Sequence, residues 1–302
     1  MSKPTLQFHG EGGDLFMLFL KNLILSILTL GIYTFWGQAE QRRFLYRNMS
    51  FQEQRFDYTG TGKEKFIGFL KAFAFLVILV VILQVLMQVM GPIAILFFYL
   101  ALIGVIPYLV YGAQRYALSR TRLNNIPFSL QGEQGEFAKI SYKMLFISII
   151  TLGIATPWYL IAQHKYLTSH TRYGQIEFDF VGQGGDLFIK FIVGYLLSAI
   201  TLGIYLPWFL EDINEFYINN TRINGTAPRY AKSGFDYLIL ILVSALMLVF
   251  SLGLAAPWVI IRNVKYFCER FHYLDPIPFD KIYSTASTEA SAFGEEAMAL
   301  FE

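Results

Sequence analysis

At residues 201–208 the chain reads TLGIYLPW; an apolar run precedes this stretch and a polar run follows it. Glycine just after a helix and proline in the first turn of the next one mark the end of one helix and the start of another. The stretch therefore predicts a membrane helix that breaks at Gly203 and continues as an amphipathic helix of about a dozen residues.

Similar stretches recur along the chain, so that Trp158, Trp208 and Trp258 follow one another at intervals of 50 residues. Trp36 and Tyr108 hold the same place in two further copies. The pattern predicts five copies, at 8–57, 58–129, 130–179, 180–229 and 230–280, the second of which has 22 extra apolar residues, enough for one more helix. The residues expected to form the breaks, and to anchor or pack them near the membrane interface, are Gly31, Trp36, Pro107, Gly153, Pro157, Trp158, Gly203, Pro207, Trp208, Gly253, Pro257 and Trp258.

Composition indicates a membrane protein. Of the 302 residues, 55% are hydrophobic and only 15% are charged, whereas a soluble domain carries about 25% charged residues. A net charge of +2 argues against a nucleic-acid-binding surface. Six apolar segments approach the length of about 20 residues that a bilayer-spanning helix needs. They are Leu15–Trp36, Ile67–Met90, Ile93–Tyr111, Met144–Ala162, Leu187–Leu210 and Tyr237–Ile261.

Each copy is predicted to contain a membrane helix, a break, an amphipathic helix and a short β-hairpin. Asn224-Gly225 is a strong two-residue turn signal, and Asn124-Asn125 lies between similar short strands. The glycines that precede each membrane helix, such as Gly182 and Gly184, are interpreted as a tight turn because no βαβ context supports a nucleotide-binding loop. The predicted fold is mainly α, a polytopic membrane bundle in one domain over 1–283, followed by a flexible acidic tail over 284–302.

Two topologies are compatible with this pattern. Six full crossings place 15 Lys and Arg on one side of the membrane and nine on the other, which weakly favours external termini. Alternatively, each unit dips into the bilayer and returns at its break, which places all 24 Lys and Arg in the cytoplasm. We favour six crossings, because irregular backbone deep in a bilayer is tolerated only where protein covers it.

One copy reverses the charge of its amphipathic helix. Arg43, Arg115, Lys165 and Lys265 occupy equivalent positions, and Glu215 takes that position in the fourth copy, near Asp212. The simplest interpretation is a solvated helix face. One alternative is a charge network between copies, in which Glu215 and Asp212 pair with Arg43, Arg115, Lys165 or Lys265, and another is a polar path that these acids line.

The sequence carries no recognisable catalytic, metal-binding or cofactor-binding motif, and we expect no enzyme activity and no cofactor. His164 and His170 lie six residues apart and do not share a helix face. Cys268, the single cysteine, excludes an internal disulfide and is expected to be a small buried apolar side chain.

Several of these motifs together resemble a known family. They are the Gly-x-Gly turn, Thr-Leu-Gly-Ile-Tyr, the basic run Arg42-Arg43-Phe44-Leu45-Tyr46, and the segment from His170-Thr171-Arg172 to Phe178-Asp179-Phe180. The chain resembles the YjgN-type bacterial inner-membrane proteins over nearly its full length. That resemblance implies a multi-pass protein of the cytoplasmic membrane and supplies no catalytic residues, because the function of the family is unknown.

Two functions follow as expectations. The first is a non-enzymatic membrane protein whose basic helices and hairpins contact anionic lipid headgroups or protein partners that the sequence does not identify. The second is a small-solute or ion transporter built from internal repeats.

Overall fold

The computed structural model describes residues 6–273, 275–279 and 282. The predicted acidic tail over 284–302 lies outside these residues. In the described part the chain is mainly helical, as predicted, with ten helices and ten short strands. The helices are α1 (Gly12–Leu28), α2 (Thr34–Arg47), α3 (Gly62–Met90), α4 (Ile93–Arg120), α5 (Gln134–Ile150), α6 (Thr156–Ser169), α7 (Gly184–Ile200), α8 (Leu206–Asn220), α9 (Gly234–Phe250) and α10 (Ala256–Arg270).

The strands connect successive pairs of helices and form a curled antiparallel sheet. They are β1 (Leu6–Phe8), β2 (Met49–Phe51), β3 (Gln54–Tyr58), β4 (Thr121–Leu123), β5 (Ile126–Leu130), β6 (Thr171–Tyr173), β7 (Ile176–Phe180), β8 (Thr221–Ile223), β9 (Arg229–Tyr230) and β10 (Phe271–His272). Strands β1 to β8 pair in chain order, and β9 pairs with β10. The hairpins at Asn124 and Asn125 and at Gly174 are confirmed, and their turn residues have the positive φ angles that such turns require. At Asn224 and Gly225 the turn forms, but Ile223 and Thr226 make only one bridge and β9 pairs with β10 instead of β8.

One face of the sheet holds an apolar cluster to which several hairpins contribute. Leu123, Tyr173 and Ile176 are buried there. Phe279, beyond the last strand, packs against the same cluster with its ring centroid 6.4 Å from those of Phe51 and Tyr173. Phe279 therefore connects the segment after β10 to strands β2 and β6 by side-chain packing.

The helices form a closed ring. Each helix packs against the next one in the chain, and α10 packs against α1. Both ends of each helix pair connect to strands of the sheet, so the pairs α1–α2, α3–α4, α5–α6, α7–α8 and α9–α10 all leave the sheet and return to it.

The expectation of six crossings is wrong. Hairpin β4–β5 and hairpin β6–β7 would lie on opposite sides of the membrane if one full crossing separated them. Strand β5 instead pairs directly with β6, with Phe128 opposite Tyr173 and Leu130 opposite Thr171. Two hairpins that share backbone hydrogen bonds must lie on the same side, as in the alternative arrangement of dipping units.

The break predicted at Pro107 is also absent. Helix α4 runs without interruption from Ile93 to Arg120 and contains Pro107. A proline inside a helix removes one backbone hydrogen bond and crowds the preceding turn. The Tyr142 hydroxyl donates a hydrogen bond to the carbonyl oxygen of Gly104, which supplies a partner near the disturbed turn. In this predicted copy the chain reverses at Gly91 and Pro92. The expected additional helix is therefore wrong for the described residues, because the extra apolar residues lengthen α3 and α4 instead.

Candidate functional site

Four helix pairs reverse through the same turn. In these turns Leu30, Leu152, Leu202 and Leu252 have φ angles between 50° and 52°, and the glycines that follow, Gly31, Gly153, Gly203 and Gly253, have φ angles between 87° and 91°. In the turn of α7–α8, the Thr201 hydroxyl donates to the Leu197 carbonyl oxygen and accepts from the backbone N–H of Tyr205. The chain thus turns at the four glycines where the sequence predicts breaks.

The leucines of these turns are almost fully exposed. Their exposed fractions are 95% for Leu30, 94% for Leu152, 93% for Leu202 and 92% for Leu252. Large apolar neighbours are exposed as well, among them Ile200 and Phe250. A left-handed conformation costs a non-glycine residue roughly 1–2 kcal/mol. A large apolar side chain held in that conformation and left uncovered indicates a surface that contacts an apolar environment.

The charged residues are confined to the sheet end of the helix pairs. Lys21, Lys71 and Lys143 are equivalent residues of α1, α3 and α5, and Lys21 pairs with Glu40 of α2 at 2.6 Å. Beyond that level every helix pair is free of charged side chains around its reversal. The uncharged stretches cover residues 22–39, 72–114, 144–163, 191–210 and 237–261. Each contains one reversal of the chain.

The tryptophans join neighbouring helix pairs. A Cβ atom placed on Gly62 would overlap the indole of Trp36, and the same holds for Gly184 with Trp158 and for Gly234 with Trp208. The fourth such contact, Trp258 with Gly12, closes the ring. Pro157, Pro207 and Pro257 are buried at the first or second position of α6, α8 and α10. These tryptophans therefore pack one pair against the next, one of the two roles predicted for them.

The charge reversal in α8 has a partner that the sequence analysis missed. The Lys232 ammonium lies 2.7 Å from Asp212 Oδ1 and 2.6 Å from Glu215 Oε2. Burial of the ammonium disfavours its charge, but the hydrogen bonds to Asp212 and Glu215 outweigh this and raise the pKa of Lys232 to about 12. Both acids are thus bridged by a residue of the following predicted copy.

The four basic residues proposed as partners of Glu215 lie elsewhere. Arg43 donates from Nε to the Tyr58 carbonyl oxygen at 3.2 Å and from Nη2 to that of Gly60 at 3.1 Å. Arg115, Lys165 and Lys265 are exposed. The sequence contained a signal for the true partner, because Lys232 stands where the other predicted copies have Gly10, Gly60, Gly132 and Gly182.

Glu211 is a buried carboxylate at the same junction and is only 1% exposed. Its Oε1 accepts a hydrogen bond from the Tyr230 hydroxyl at 2.9 Å, and its Oε2 accepts one from the backbone N–H of Ser233 at 3.0 Å. Burial, together with the Glu211 carboxylate, raises the pKa of Tyr230, so this hydroxyl remains a donor. Glu211 therefore ties α8 to the start of α9.

Two further residues from the sequence analysis have titrating groups that are shielded from water. Cys268 is a free, buried cysteine whose thiol pKa is raised to about 11 by burial. His164 packs edge-on against Phe180 and Tyr217, and burial lowers its pKa to about 4. Within the described part of the chain, no group of three His, Cys, Asp or Glu side chains is placed to hold a metal ion.

Two helices, α3 and α4, are long and apolar enough to cross a membrane, and α9 is a shorter apolar helix. Only 11% of the apolar window of α3 and 17% of that of α4 are buried. A core helix of a soluble protein is mostly buried, so this exposure separates α3 and α4 from that case.

The similar curated proteins are inner-membrane proteins. The chain is 35% identical over 127 residues to "Inner membrane protein YjgN" of Salmonella typhimurium, which covers 42% of this chain and 31% of that protein. It is 29% identical over 146 residues to the protein of the same name from Escherichia coli K12, covering 48% and 36%. The matched stretch thus spans about a third of the length of these relatives.

No solved structure shows significant similarity to the chain. The family described as "Bacterial protein of unknown function (DUF898)" matches residues 3–188, 175–238 and 229–300, which together cover nearly the whole chain. The chain therefore belongs to this family, as the resemblance to YjgN-type proteins implied.

Proposed function

We propose that the chain is a non-enzymatic, multi-pass protein of the bacterial inner membrane, built from five copies of one helix-pair unit. The long pair α3–α4 crosses the bilayer, and the four short pairs enter only the leaflet nearer the sheet. The four exposed leucines at the turns of the short pairs are the observation that carries this proposal.

Helix lengths separate the two kinds of pair. At a rise of 1.5 Å per residue, the seven residues of α1 beyond Lys21, or of α5 beyond Lys143, extend over about 10 Å, less than half of the bilayer core of about 30 Å. The uncharged part of α3, residues 72–90, extends over about 28 Å, close to the full thickness of the bilayer core. The turns of the short pairs therefore remain inside the bilayer, where apolar side chains are favourable.

The basic residues supply the second part of the proposal. Arg115, Lys165 and Lys265 are exposed on even-numbered helices beyond the uncharged stretches, and Lys139 and Lys143 are exposed on α5. Basic side chains next to a membrane attract anionic headgroups with about 1 kcal/mol each. By the positive-inside rule the sheet and these residues face the cytoplasm, where they contact anionic lipids.

Cysteine labelling tests the arrangement. In a Cys268→Ala background, an impermeant thiol reagent applied to spheroplasts should label Met90→Cys, at the end of α3. Asn124→Cys and Glu177→Cys, in two hairpins, should react only after permeabilisation. Ile204→Cys, in a short turn, should react from neither side. Labelling of Ile204→Cys from outside, or of only one hairpin, would contradict the proposal.

A transporter is the second candidate, and one cavity favours it. A cavity of about 250 Å³ lies between α1, α2 and α10. Asn22, Ser26, Thr34, Gln38 and Gln41 line it together with apolar side chains. Within the described residues, Asn22 Oδ1 is buried there without a hydrogen-bond partner. If this cavity is part of a solute path, Gln38→Cys should react with small water-soluble thiol reagents, and the substrate should slow that reaction.

A further inference from the structure

The two halves of the bilayer contain very different amounts of this protein. This step rests on the proposed function, in which only α3 and α4 reach the leaflet far from the sheet. Among the described residues, parts of ten helices then enter the near leaflet, and two helices occupy the far one. A helix about 10 Å wide has a cross-section of roughly 80 Å², so the eight additional helices insert roughly 600 Å² more into the near leaflet.

Because the ring is closed, the helices in the near leaflet act as one rigid unit. Each helix packs on its neighbours, α10 packs on α1, and the tryptophans fix one pair against the next. The inserted area therefore cannot be reduced by separation of the short pairs. Insertion confined to one leaflet expands that leaflet relative to the other, and binding of this kind depends on membrane curvature.

We propose that this protein bends the membrane, so that the leaflet in contact with the sheet becomes convex. The short pairs act as a wedge, and the long pair holds the ring in the bilayer. The turn leucines Leu30, Leu152, Leu202 and Leu252 determine how deeply the wedge enters, because they are the most exposed apolar side chains at its tip.

The test uses the purified full chain with vesicles of phosphatidylcholine and phosphatidylglycerol extruded to a small and a large diameter. The protein should be enriched per lipid on the small vesicles when its sheet faces outwards, and electron cryomicroscopy should show large vesicles drawn into buds or tubes. An equal protein-to-lipid ratio on both sizes, with large vesicles unchanged, would overturn the proposal.

The matched variant replaces all four turn leucines with asparagine. Asparagine tolerates the left-handed conformation, so the turns should be retained while their apolar tips are lost. The long pair, unchanged, keeps the variant in the membrane. We expect loss of the size preference with an unchanged helical circular-dichroism spectrum. Vesicle remodelling equal to that of the parent chain would show that the turns are not the wedge.

One further measurement separates this proposal from the proposed function. A fluorophore on Ile204→Cys, in the Cys268→Ala background, should be quenched by nitroxide-labelled lipids. Quenching without any effect on vesicle shape would overturn the bending activity alone. Absence of quenching, with the label open to aqueous quenchers, would overturn the membrane insertion of the short pairs and the bending activity with it.

Discussion

The long pair α3–α4 and the short pair α7–α8 are built from similar apolar residues but reverse at different distances from the sheet. Helix α3 has 29 residues before Gly91, whereas α7 has 17 before the turn at Leu202 and Gly203. Their junctions differ as well. At the end of a short pair, Trp158 or Trp208 packs on a glycine of the next helix. At the end of the long pair there is a hydrogen bond instead, which Gln134 Nε2 of α5 donates to the Tyr108 carbonyl oxygen of α4 at 2.9 Å. The place of the reversal, rather than apolar composition, decides which pair can cross the bilayer.

A charge placed midway along α3 should have the largest effect. Val81 lies in the middle of the uncharged part of α3 and is 53% exposed. Val81→Lys should raise the free energy of membrane insertion by about 3 kcal/mol, as for a lysine at the centre of a spanning helix. Met17→Lys, on the charged side of α1, is the matched control and should cost close to nothing. Equal insertion of the two variants in a membrane-insertion reporter assay would show that α3 does not cross.

His164 should make the stability of the short pair α5–α6 depend on pH. It stands in α6 where the long pair has Gln114. Burial lowers its pKa from 6.5 to about 4, so below pH 6.5 the unfolded chain binds a proton that the folded chain does not. The free energy of unfolding should therefore fall as the pH drops from 6.5 to 4, by roughly 3 kcal/mol. His164→Gln should remove this part of the acid sensitivity in thermal melts in detergent, and an unchanged pH dependence would exclude His164 as its source.

The tryptophan junction of the short pairs can be tested by a single methyl group. A Cβ on Gly184 would overlap the Trp158 indole, whereas one on Gly185 would meet nothing within 4 Å. Gly184→Ala should destabilise the protein by about 1–3 kcal/mol through overpacking. Gly185→Ala should stabilise it by up to about 1 kcal/mol, because alanine favours the helix. The melting temperatures of the two variants should move in opposite directions, and a shift in the same direction would count against the Trp158 contact.

The smallest effect on stability is expected at Glu215 of α8, which is equivalent to Arg115 of α4. Lys232 keeps Asp212 as a partner when Glu215 is neutralised, and the Lys232 and Glu215 side chains are 41% and 27% exposed. Glu215→Gln should therefore lower the free energy of unfolding by less than about 1 kcal/mol, and less at high salt. A loss of several kcal/mol in denaturant titrations would mean that the pair is buried in the membrane-bound protein.

The sequence predicted the local elements well because their signals lie within a few residues. The glycines of the four turns and the asparagines of the hairpins adopt positive φ angles at the predicted places. Pro107 was expected to interrupt the helix, but α4 continues through it, because a proline removes only one backbone hydrogen bond of a helix. The crossing number was wrong because a window of apolar residues cannot distinguish one 30 Å helix from a shorter helix, a turn and the start of the returning helix.

The charged junction could be predicted only in part. The reversal at Glu215 and Asp212 was visible, but equivalent positions suggested partners at the same register. The true partner, Lys232, replaces a glycine in a different part of the unit. The contacts between tryptophans and glycines were not predicted. The two residues lie 26 positions apart in sequence, both for Trp36 with Gly62 and for Trp158 with Gly184, but a constant separation in sequence does not show that two residues touch.

The contact that closes the ring also constrains the order in which the chain can fold. Four junctions join neighbouring segments, but Trp258 meets Phe16 and Gly12 across nearly the whole chain, with ring centroids 4.9 Å apart for Trp258 and Phe16. Each doubling of a loop's length raises the free-energy cost of closing it by only about 0.6 kcal/mol. The long separation in sequence therefore lowers the equilibrium stability of this contact only modestly. The delay is kinetic: synthesis proceeds from the N-terminus, and α1 has no neighbour on one side until α10 has left the ribosome. A chain cut short in its last helix would therefore leave its first helix packed against α2 alone, with its other side uncovered.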